Sequence, residues 1–275
     1  MAESSTASVS FGERSTLGKA RFVLFYLAIV AAAAMTLAFL TELLPLLVLG
    51  WTAGVGAELG IHRLHIMGIA LVIATVLVGL FVQVYRPHER VASLWGSLVV
   101  MTVITLATLG FGAGRPEEVV PFFVVTGVAI LTHPAGRGVL RRGDSFSPAL
   151  LALAVVAAVP LLAYVGNQLV LQVSADSHAL SGHYLMMAGA GVAPVALALA
   201  AGMGLAGWRL AAWQAALVAA YFGAMSVAFP AQASSVGMTG GVAVLVWAVA
   251  FVAVAEFSRG AGVSETFRRR VAGSS

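Results

Sequence analysis

Long apolar stretches alternate with short polar ones from residue 22 to residue 256. Eight stretches stand out, at 22–41, 66–85, 91–111, 118–132, 147–172, 183–204, 209–229 and 237–256. About 20 apolar residues cross the roughly 30 Å hydrocarbon core of a bilayer, and all but the fourth stretch reach that length. Backbone groups in lipid must bond within their own segment, so each stretch is predicted to be a helix. Pro45 and Gly50 predict a turn over 43–50 that ends the first helix at the interface. The expected fold class is an all-α, polytopic membrane protein with eight transmembrane helices.

Composition agrees with this pattern. Of the 275 residues, 60% are hydrophobic and only 9% charged, and the mean hydropathy is +0.99. The absence of cysteine excludes disulfides, thiolate ligands and cysteine nucleophiles. The net charge of +4 comes from basic residues scattered among short loops, so nucleic acid is not an expected partner and the lipid bilayer is. Residues 1–21 form a polar segment rich in Ser and Thr. The apolar run that follows is too long for a signal peptide and reads as a retained span.

Charge sets the orientation. With eight spans, thirteen Lys and Arg fall at one set of helix ends, and Arg63 and Arg115 alone fall at the other. This bias predicts a cell-membrane protein with both termini in the cytoplasm. It also sorts the histidines. His88 and His133 are expected on the cytoplasmic side, His88 in a solvated turn and His133 ending the fourth span before Pro134. His62, His65, His178 and His183 are expected on the outer side, with Glu58 and Asp176 in the same loops. Glu42 lies twenty residues beyond Phe22, about 30 Å along a helix, and reaches the same boundary.

The chain also shows signs of an internal repeat. Trp95 follows His65 by thirty residues, and Trp213 follows His183 by thirty. "HIMGIA" at 65–70 parallels "HYLMMA" at 183–188, and "TGVAIL" at 126–131 parallels "GGVAVL" at 240–245. This predicts two parallel four-helix halves, 22–133 and 147–257. A basic linker over 134–146 joins them, and a cytoplasmic tail over 258–275 follows. An axis along the membrane normal would put His65 and His183 at one depth.

Imidazole is a common ligand for metal ions and haem iron. His62 and His65 are three apart and share a helical face, whereas His178 and His183 are five apart and straddle a loop and a helix start. Met238 lies near the same boundary, and His with Met can hold haem iron or copper. The alternative is interfacial, with each ring half buried and its nitrogens in water. Other chemistry lacks its residues. The sequence has no phosphate-binding glycine loop and no HExxH. Its one lysine, Lys19, precedes the first span, so no Schiff base can form within the bundle.

Eight spans in two fours, with a Glu-x-x-x-His-Arg sequence (Glu58, His62, Arg63) entering the second, resemble the haem A synthase family. That family's motif is one residue shorter, and it also places histidines in spans four and eight, where this chain offers Glu117, Glu118 and Met238. The resemblance implies haem held by outer histidines and a place in haem modification or terminal oxidase assembly, with a respiratory complex or its assembly factors as partners. The orientation and the repeat make His65 and His183 the expected ligands of one centre, with His62 and His178 as substitutes and Glu58, Asp176 and Glu42 as the groups behind them. Two other classes stay open: a small-solute or metal carrier, with copper as the alternative to haem, and a non-catalytic accessory subunit.

Overall fold

The structure is a computed structural model that describes residues 15–52, 57–141, 143, 146–174 and 176–272. The side chains of 36–44, 57–61, 140 and 258–272 fall outside that description. Among the described residues the chain is all helical. Its helices are α1 (Thr16–Leu49), α2 (Ala57–Phe81), α3 (Val91–Phe111), α4 (Pro116–Leu131), α5 (Pro148–Leu171), the short α6 (Ser177–Leu180), α7 (His183–Gly202), α8 (Trp208–Ala228) and α9 (Gly237–Ala272). Seven of them, α1, α2, α3, α5, α7, α8 and α9, are long and apolar enough to cross a bilayer. The chain is therefore a multi-pass helical membrane protein.

One expectation needs revision, and another is met only in part. The first helix does not stop at 43–50. It continues through Pro45 to Leu49, because a proline costs one backbone hydrogen bond and a long helix tolerates that loss. The fourth stretch does form a helix, but α4 has only 16 residues, about 24 Å of length. It is not among the seven.

Adjacent helices close into two rings. In one, α1 touches α2 and α4, and α3 touches α2 and α4. In the other, α5 touches α7 and α9, and α8 touches α7 and α9. The rings meet where α2 and α3 pack on α7 and α8. The central member is α7, with 83% of its apolar window buried against 22% for α1 and for α9. Its sequence, HYLMMAGAGVAPVALALAAG, explains this position. Gly189 accepts Ile104 of α3 on one side, Gly191 accepts Tyr164 of α5 on another, and Gly202 sits against Leu151 of α5. Small residues let helices approach closely in lipid, where packing and hydrogen bonds replace the hydrophobic drive.

The two ends of the bundle are tied differently. At the end near the N-terminus of α1, Gln83 donates to the carbonyls of Gly79 and Arg90. Its Oε1 faces His133 Nε2 at 3.3 Å, and Phe25 meets the His133 ring edge-on. His133 is thus a buried, bonded group and not only a span end. Trp95 donates to Val139 across the turn after α4. Arg209 and Trp213 both bond Glu256, tying α8 to α9. The opposite end carries the remaining four histidines.

Candidate metal centre

α2 starts eight residues before His65, so His62 and His65 both ride its first turns on one face. His183 is the first residue of α7, entered through Gly182 in the left-handed conformation. His178 lies on α6, whose start is capped by the Asp176 carboxylate accepting from the Ala179 N–H at 2.8 Å. Four imidazoles from three helices thereby meet at the junction of the two rings. The nitrogens of His62, His65 and His183 that could ligate an ion all lie within 4.8 Å of one another. His178 is not in that tight set, but its ring closes the fourth side, 4.5 Å from His62 and 4.7 Å from His65 between centroids.

The six centroid separations run from 4.5 to 6.4 Å, and one point lies about 3.3 Å from all four rings. An imidazole bound through nitrogen at about 2.0–2.1 Å places its ring centre roughly 3.2 Å from the metal. The cage has the dimensions of a single-ion site.

Each ring also has one buried nitrogen with no partner in the protein: Nδ1 of His62, His65 and His183, and Nε2 of His178. A buried polar atom left unpaired costs about 1–3 kcal/mol. Whole domains are stable by only about 5–15 kcal/mol, so four such atoms together call for an ordered water or a ligand.

The strongest orientation is at His65, which is fully buried. Its Nε2 lies 2.8 Å from Ser234 Oγ, and that hydroxyl donates to Gln168 Oε1 at 2.7 Å. A serine has one proton, and here it goes to Gln168. With Gln168 in this orientation, His65 Nε2–H is the donor to Ser234, which leaves Nδ1 as the buried nitrogen with no partner in the protein. This is the outer-shell arrangement that fixes a metal-binding tautomer. Ser234 is itself held in place. It has a φ of 66°, a region that non-glycine residues adopt at a cost of about 1–3 kcal/mol, and Tyr164 donates to its carbonyl at 2.9 Å. The composition-based reading missed Ser234, Gln168 and Tyr164. The one available signal was a pair of polar residues, Gln168 and Gln172, at the end of an otherwise apolar helix.

The remaining expected residues are placed as follows. Asp176 is exposed. It bonds the Tyr184 hydroxyl at 2.9 Å, and its other oxygen stands 4.0 Å from His178 Nδ1. The Ala179 N–H, and then Tyr184, hold its carboxyl below the usual carboxylate range. Burial, followed by the neighbouring His62, pushes the His178 ring below the ordinary imidazole range against the pull of Asp176. A neutral ring is the form that can ligate. Met238 is 58% exposed on α9, on the outside of the bundle, and does not join the cluster. Glu42 and Glu58 lie on α1 and α2, and their side chains fall outside the described residues. Arg63 turns away from the histidines. It donates to the Thr52 carbonyl and lies 4.6 Å over the Phe229 ring.

Comparison of this chain with protein-family models, with curated proteins and with solved structures returned no match.

Proposed function

We propose that this membrane protein binds one transition-metal ion through His62, His65 and His183, with His178 as the fourth group. The carrying observation is the convergence of three ligating nitrogens within 4.8 Å. An all-nitrogen donor set, without thiolate or thioether, suits Zn²⁺ or Cu²⁺ better than Cu⁺ or a hard cation. Three fixed imidazoles and a fourth on a separate short helix match a centre that can exchange what it holds. With His178 turned aside, an ion there keeps an open position of the kind used to polarise a substrate or activate water.

Haem is the second reading, and it rests on His65 and His183, stacked 5.4 Å apart. The cage supports it less well. His62 and His178 each stand at comparable distances from both of those rings, so they occupy the plane a macrocycle would need.

On the same reading α4 makes an eighth crossing, both termini are cytoplasmic, and the histidines face outward. In support, Arg63 and Arg115 are the basic residues near the histidine end among the described residues, while Lys19, Arg21, Arg86, Arg90, Arg137, Arg141 and Arg209 cluster at the other. The repeat reading draws support from the two closed rings and from their meeting through equivalent pairs, α2 with α3 and α7 with α8.

Elemental analysis of protein purified without chelator tests the proposal. One equivalent of zinc or copper per chain is expected. A Soret band that shifts on reduction would transfer the assignment to haem. Protein with neither ion nor band, and with no uptake on adding Zn²⁺ or Cu²⁺, would defeat both readings.

A further inference from the structure

A cavity of about 480 Å³ lies beside the histidines, between α2, α3, α4 and the start of α7. Pockets for small molecules commonly enclose about 300–1,000 Å³. Its walls are sorted by polarity. Ile69, Val72, Ile73 and Val76 line it along one face of α2, opposite Ile104 of α3 and Phe122 of α4. On α2 these positions span eight residues, about 10 Å of helix. The polar groups gather at one end: Arg115 and Glu118 at the start of α4, Ser181 before α7, and His183 itself. Gly114 and Gly182 stand back to back at this end, both with positive φ. A Cβ on Gly182 would come within 2.6 Å of the Gly114 Cα, so the rim depends on both glycines.

The occupant must match that sorting. It is apolar over most of its length and polar at one tip, because a polar group placed among the isoleucines would lose its hydrogen bonds to water without replacement. The charge of the tip also follows. Arg115 is already paired with Glu118 at 2.7 Å, and Glu117 follows at the same helix start. The rim therefore holds no spare cation for an anionic head, and the Arg115–Glu118 pair cancels its own charge. Donors and acceptors are both present, which suits carbonyl and hydroxyl oxygens.

We propose that this cavity binds a single-chain lipophile with an uncharged, oxygen-bearing head, the chemistry shared by prenylated quinones and monoacylglycerols. The head lies against His183, so the ligand and the metal share one residue. The lipophile enters from the bilayer that the seven apolar helices require. The inference uses the membrane reading of the fold and does not depend on an ion being present.

The test is a thermal titration of the detergent-solubilised protein with decylubiquinone, 1-monodecanoylglycerol and decanoic acid at pH 8, each run with and without prior chelation. At least one uncharged ligand is expected to raise Tm saturably by roughly 5–10 °C at a hundredfold excess over Kd, and decanoate to raise it little. A response to the quinone alone assigns a redox lipophile, and a response to the glyceride alone assigns a bilayer-derived lipid. Ile104→Trp and Val76→Phe, which fill the cavity from two helices, should remove the shift while leaving metal content unchanged. Whichever variant keeps its helical circular dichroism serves. If both lose it, Val119→Trp on α4 replaces them. A shift that survives cavity filling, an equal or larger shift with decanoate, or no shift with any ligand overturns the proposal. Absence of bound metal before chelation, with retention of the lipophile shift, would count against the metal centre alone.

Discussion

The imidazoles of His65 and His183 stand 5.4 Å apart, 29° from parallel, although they belong to different four-helix rings. Neither ring of helices can build this pair alone. His65→Ala and His183→Ala should each reduce bound metal to well below one equivalent, because removing one of three nitrogens leaves an ion with an incomplete set. His88→Ala, at the other end of the bundle, should keep the full equivalent. Elemental analysis of the three variants decides, and equal contents would reject the assignment.

Ser234→Ala addresses the tautomer. It removes the acceptor of the His65 Nε2–H and frees the ring to turn. Loss of such an outer partner typically weakens metal binding about 10–100-fold. The stoichiometry at saturating metal should stay at one, with only the affinity falling in a competition titration against a coloured chelator. An unchanged affinity would show that Ser234 does not orient the ring.

The contact between α8 and α9 should matter for the same site. A Cβ on Gly241 would come within 2.7 Å of the Gly223 carbonyl oxygen. Gly241→Val forces the helices apart, and such overpacking costs about 1–3 kcal/mol. The loop these helices share carries Ser234. Thermal melting should therefore show lower stability, and the metal titration a weaker affinity. Reduced stability with native affinity would mean that the loop is held from α5 alone.

Acid should loosen the opposite end. Burial, reinforced by nearby His88, pushes the His133 ring down to about 4. The folded protein then keeps it neutral while the unfolded chain protonates it near 6.5. Between those values the unfolded state binds more protons, so stability falls as pH drops. The loss should be on the order of 2 kcal/mol between pH 7 and pH 5. His133→Asn should show a shallower fall in Tm over that range. The same slope in both proteins would assign the acid sensitivity elsewhere.

Topology can be read directly. With no native cysteine, Ala113→Cys and Ala233→Cys should react with an impermeant thiol reagent added to intact cells, and Arg137→Cys should not. Labelling of residue 137 would reverse or break the proposed orientation.

The sequence makes the helices legible because lipid leaves one solution for a long apolar run. It also makes the His62–His65 pairing legible, since a spacing of three fixes a shared face. The end of α1 is less visible. Pro45 is a strong local signal for a turn, yet the helix passes through it to Leu49. α4 is ambiguous for a different reason, because its 16 residues sit at the edge of what a length criterion can decide. The support for His65 is hidden more deeply. Ser234 lies in the loop before α9, sixty-six residues from Gln168 and 169 from His65. Nothing local marks a serine that will adopt a positive φ. Only the folded contacts with Tyr164 and Gln168 give that conformation a reason.

The division of the four histidines between α2 and the α6–α7 segment also has a consequence in time. His65 leaves the ribosome 118 residues ahead of His183, and at about 5–20 residues per second that gap lasts roughly 6–24 s. Throughout it the two imidazoles of α2 lack the α6 and α7 histidines that complete the proposed site. Only when α7 threads in beside α2 does the cage close and Ser234, later still, lock the His65 ring. On the proposed reading, selection of the ion is a late event of biogenesis, governed by what is free at the membrane surface when the second half arrives.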